Sequence, residues 1–69
     1  MIEVFKTNVQ HQVEAAELRN LLHRYFPGSK IDFDLEDCDK VLRIEGSSFI
    51  PKKIMQLIHE HGYTCHVMD

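Results

Sequence analysis

Residues Lys30–Gly46 read KIDFDLEDCDKVLRIEG, and this stretch decides the fold. Ile31, Phe33 and Leu35 alternate with Asp32, Asp34 and Glu36, the period-two pattern of a strand with one buried and one wet face. Asp37-Cys38-Asp39 is a short polar step that can turn the chain. KVLRIEG then returns as a second strand, with Leu42 and Ile44 facing inward. Two strands joined this closely pair antiparallel, because a parallel partner would need a long crossover.

On the N-terminal side, MIEVF is apolar and β-branched and suits another strand. From about His11 the period changes. Val13, Leu18, Leu21, Leu22 and Tyr25 recur at helical intervals until Pro27-Gly28 stops the helix. On the C-terminal side, Gly46-Ser47-Ser48 is a loop and Pro51 suits a first helical turn. Ile50, Ile54, Leu57, Ile58 and His61 make a second stripe, ended by Gly62, and YTCHVM (residues 63–68) closes the chain as a strand. The order βαββαβ predicts an α+β, ferredoxin-like sandwich: a four-stranded antiparallel sheet, order 4-1-3-2, with two helices on one face. The facing of the first strand stays open, since Ile2 and Val4 alternate with Phe5.

Sixty-nine residues make one domain. The net charge of −3, with basic residues scattered, argues against nucleic acid. No apolar run approaches the roughly 20 residues of a membrane helix, and MIEVFKTN lacks the layout of a signal peptide. The expected compartment is the cytoplasm, with Cys38 and Cys65 reduced. In the expected order they lie on opposite sheet edges, about 14 Å apart at a strand spacing near 4.8 Å, beyond disulfide reach. Cys65 is in phase with Tyr63 and Val67 and is expected in the core.

The segments FKTNV (5–9) and DKVLRIEG (39–46), together with Gly62-Tyr63 after the second helix, resemble the heavy-metal-associated (HMA) domain of copper chaperones and metal-pumping ATPases. The resemblance spans nearly the whole chain. It implies a metal loop after the first strand, carrying two cysteines separated by two residues. In this chain that loop reads VQHQVE (9–14), with His11 and Glu14 at the cysteine positions. A thiolate pair at a helix N-terminus suits Cu(I), whereas imidazole and carboxylate are harder ligands that favour Zn(II), Ni(II) or Co(II).

Two readings follow. In the first, copper binding is lost and the domain is a protein-interaction or regulatory module linked to metal homeostasis. In the second, His11 and Glu14 hold a divalent transition metal, completed by His61, Cys38 or a second subunit, since zinc needs about four ligands including water. The turn at residues 37–39 and the loop at 61–63 are expected at the same pole as TNVQHQVE (7–14), though Cys38 starts about 10 Å to the side. Glu14 also suits a helix first turn for its charge alone, and His11, His61 and Cys38 read equally well as polar loop or helix-end residues. No cofactor is certain.

His59, His61 and His66 have no ligand spacing. Asp32, Asp34 and Glu36 stripe the open sheet face, a solvated face or a docking surface for a basic partner. Val41, with Ile2 or Val4, adds apolar area there that would suit a homodimer. No catalytic triad, phosphate loop or paired carboxylates mark an enzyme. The expected partner is another protein, with no nucleic acid and no membrane.

Overall fold

A computed structural model describes residues 1–68. The central hairpin pairs β2 (Lys30–Asp34) with β3 (Val41–Glu45), antiparallel, with Ile31 opposite Ile44 and Phe33 opposite Leu42. Around it lie β1 (Ile2–Thr7), α1 (Gln12–Tyr25), α2 (Pro51–Glu60) and β4 (Cys65–Val67), giving the order βαββαβ. The sheet order is β2-β3-β1-β4, all antiparallel, which is the expected order read from the other edge.

Register settles the facing of β1. Phe5 lies opposite Leu42, and Thr7 opposite Cys65. Phe5, Leu42, Ile44, Ile31 and Cys65 belong to one buried cluster with Ala15, Leu18 and Leu22 of α1 and Ile54, Leu57 and Ile58 of α2. Residues opposite one another in a ladder share a face, so both helices cover that face of the sheet. Ile2, Val4 and Lys6 therefore point to the other side.

On that open face the acidic stripe is interrupted. Asp32 faces Arg43 and Lys30 faces Glu45 across the hairpin, and Arg43 Nη2 lies 3.3 Å from Glu45 Oε1. Ile2 is exposed, and Val4 and Val41 are half-buried.

Two boundaries and one set of facings differ from expectation. β2 ends at Asp34, because the Asp34 carboxylate accepts a hydrogen bond from Glu36 N (3.2 Å) and turns the chain. β4 begins at Cys65, since the preceding residues finish α2. Gly62 N donates to His59 O (3.0 Å) and Tyr63 N to Ile58 O (3.3 Å), with Gly62 at φ +90°. This is the bond pair of a Schellman stop, which wants glycine at the left-handed position and an apolar residue next. Finally, Val13, Tyr25 and Ile50 are exposed, while Ala15 and Phe49 are buried. No helix among the described residues is long and apolar enough to cross a membrane.

Candidate functional site

The pole where β1 ends is organised by Thr7 and Asn8. Thr7 is buried; its amide donates to Asp39 O (3.1 Å) and its hydroxyl to Lys40 O (2.5 Å). The same hydroxyl accepts from Val9 N at 3.2 Å. Asn8 Oδ1 accepts from Thr64 N at 2.8 Å. Two adjacent side chains thus tie the β2–β3 turn and the α2–β4 loop to the start of α1, so the three loops do share one pole. Sequence reasoning missed both residues. Their partners lie 33 and 56 positions away, and no local pattern signals such bonds.

His11 occupies the N-cap of α1, exposed, and its side chain makes no capping bond. Its backbone carbonyl accepts from Ala15 N (3.0 Å). Glu14 sits half-buried in the first turn, where a carboxylate complements the helix dipole. It neighbours the Tyr63 phenol, whose pKa is raised above the ordinary 10.0 first by loss of water around it, then by Glu14 and Glu17. Tyr63 packs against the core cluster that holds Val9.

His61 is exposed at the C-cap of α2, and its Nδ1 lies 2.9 Å from Leu57 O, so the ring folds back on its own helix. Cys38 is exposed in a turn closed by Asp39 N donating to Asp37 Oδ1 (2.8 Å) and Lys40 Nζ donating to Leu35 O (2.8 Å). Among the described residues, one set of three His, Cys, Asp or Glu side chains brings its ligand atoms within 4.8 Å of one another: Asp37, Cys38 and Asp39. His11, Glu14 and His61 form no such set with each other or with Cys38. Asp39 is also engaged by Lys6 Nζ at 3.6 Å.

No protein-family model, curated protein or solved structure matches the chain.

Beside the pole, the end of α2 and the flank of α1 enclose a shallow cleft of about 290 Å³ between Glu17, Leu21 and Arg24 on one wall and His61 and Tyr63 on the other. Glu17 and Arg24 share the α1 wall, and His61 and Tyr63 face them. The pole is a set of loops locked by side-chain-to-backbone bonds. Its exposed groups, His11, Gln10 and Cys38, face outward.

Proposed function

We propose that this chain is a divergent, ferredoxin-like domain of the HMA type that no longer carries Cu(I) and serves as a non-enzymatic protein-interaction or regulatory module linked to metal homeostasis, in the cytoplasm. The observation that carries the reading is the use made of the loop after β1. Thr7 and Asn8 hold the loops together, Glu14 lies against Tyr63, and His11 stands alone at the N-cap. The two positions that resemble the metal-binding cysteines thus point to separate surroundings. The open sheet face, with Ile2, Val4 and Val41 among its mixed charges, is the surface proposed for a protein partner or a second copy.

The test restores what is missing. Under reducing conditions, Cu(I) added to the wild type should leave the amide NMR signals of residues 8–14 in place. The double substitution His11→Cys with Glu14→Cys should create a tight site, because the helix N-terminus favours the thiolate pair. Tight, saturable shifts at residues 8–14 and 61–63 of the wild type with Zn(II), Ni(II) or Cu(I), abolished by His11→Ala, would instead establish a retuned metal loop and defeat the proposal.

A further inference from the structure

His59 and His66 stand seven residues apart, and no periodicity of α2 or β4 joins them. The fold does. His59 lies in the last turn of α2 and His66 in the middle of β4, and these two elements pack together. The ring centroids are 6.0 Å apart with planes inclined at 60°, and both residues are exposed.

We propose that His59 and His66 form a two-imidazole site for a divalent transition metal of the zinc–nickel class at the α2–β4 edge, outside the loop after β1. The geometry fits one bridging ion. A metal–nitrogen bond of about 2.0–2.1 Å places the ion about 3.2 Å from each ring centre, so the centroids stand about 5.2 Å apart at a tetrahedral angle and about 6.4 Å apart when linear. The observed 6.0 Å falls inside that range. His66, opposite Lys6, leaves β4 on the open side of the sheet and His59 comes from α2 on the other, so a common ion would be held around the β4 edge by rotation of both exposed side chains.

The carriers are rigid. The Schellman stop fixes the exit from α2, and Leu57, Ile58 and Cys65 anchor both elements in the core. Preorganisation of this kind lowers the ordering cost of binding.

The donor set decides the ion. Neutral imidazole is an intermediate ligand that suits zinc, nickel and copper(II) rather than calcium or magnesium. Two protein ligands leave the remaining positions to water, so the site is open rather than structural. The neighbouring charges are compatible: Glu60 is held by Gln56 Nε2 at 3.3 Å. Lys6, opposite His66 in the ladder, lies with its Nζ 3.6 Å from Asp39.

Zn(II) alone, titrated into the folded chain under reducing conditions and followed by amide and imidazole NMR, tests this. Saturable shifts at micromolar metal are expected for His59, His66 and residues 65–67. Even an outer-shell partner of a ligand is worth about 10- to 100-fold in affinity. His59→Ala and His66→Ala should therefore each weaken binding at least about tenfold, while His23→Ala, on the exposed surface of α1, leaves it unchanged. Shifts that persist in both variants, shifts confined to residues 37–39, equal loss in His23→Ala, or no saturation at all would each overturn the site. The signals of residues 8–14 report separately on the proposed loss of metal from the β1 loop, so either idea can fail without the other.

Discussion

Thr7 is a residue whose short side chain does two jobs in a dry place. Its hydroxyl satisfies Lys40 O on one side and Val9 N on the other, and Val9 is fully buried. Thr7→Val keeps the shape and removes both bonds, leaving a buried amide and a carbonyl without partners. An orphaned buried group costs about 1–3 kcal/mol, so Thr7→Val should lower stability by about 2 kcal/mol. It should appear in urea unfolding as a lower midpoint at constant slope. Thr7→Ser retains the hydroxyl and should lose only the methyl contribution, about 1 kcal/mol. If serine and valine cost the same, the hydroxyl does not hold the pole. At this scale the site was poorly legible in the sequence. A resemblance singled out His11 and Glu14 because of where cysteines would stand. The residues that build the loop were invisible, because a side chain's distant backbone partner is a property of the assembled fold.

Elements were more legible than the faces they bury. The alternation Ile31/Phe33 and Leu42/Ile44 fixed the hairpin, and Ile54, Leu57 and Ile58 fixed the inner side of α2, because strand and helix periods there have few competitors. α1 is different. The expected stripe ran through Val13 and Tyr25, yet Val13 is 70% exposed and Tyr25 54%, while Ala15, Leu18 and Leu22 are buried. At 100° per residue, Val13 lies about 140° from Leu18, whereas Ala15 lies about 60° from it. The small alanine carries so little hydrophobic signal that a larger, wrongly phased valine outweighed it. In α2 the same error moved the inward residue by one: Phe49 is buried and Ile50, the N-cap, is 67% exposed. Strand ends were lost for another reason, since β2 and β4 are trimmed by an aspartate turn and a glycine stop that override local propensity. The phase of α1 can be checked directly. Val13→Glu should change stability by no more than about 0.5 kcal/mol, with a small gain from a carboxylate in the first turn. Leu22→Ala empties a fully buried position and should cost about 3 kcal/mol. Comparable losses in the two variants would mean that α1 is rotated from the orientation described.

For the whole molecule, the two thiols measure how completely the fold separates surface from interior. Both are free; Cys38 is exposed in the β2–β3 turn and Cys65 is fully buried on β4, at the far edge of the sheet. Burial pushes the Cys65 thiol from the ordinary 9.0 up to about 12, because a thiolate in the apolar core would lose its hydration. The thiolate is the reactive form, so iodoacetamide should label the native protein once, at Cys38, and reach Cys65 only when the chain opens. The same shift sets a pH dependence. Between about 9 and 12 the unfolded chain has released the Cys65 proton while the folded chain retains it. The unfolded state then binds fewer protons, and stability falls as pH rises, by up to about 1.4 kcal/mol per pH unit. Below about 9 both states hold the proton and Cys65 adds no pH dependence. Other groups also titrate in alkali, so the informative quantity is the difference from Cys65→Ala. That variant starts from a lower stability because of its small cavity, yet its stability should decline less steeply between pH 9 and 11. Parallel decline in the two proteins would mean that water reaches Cys65 in the folded state, and with it the inner side of the β4 edge.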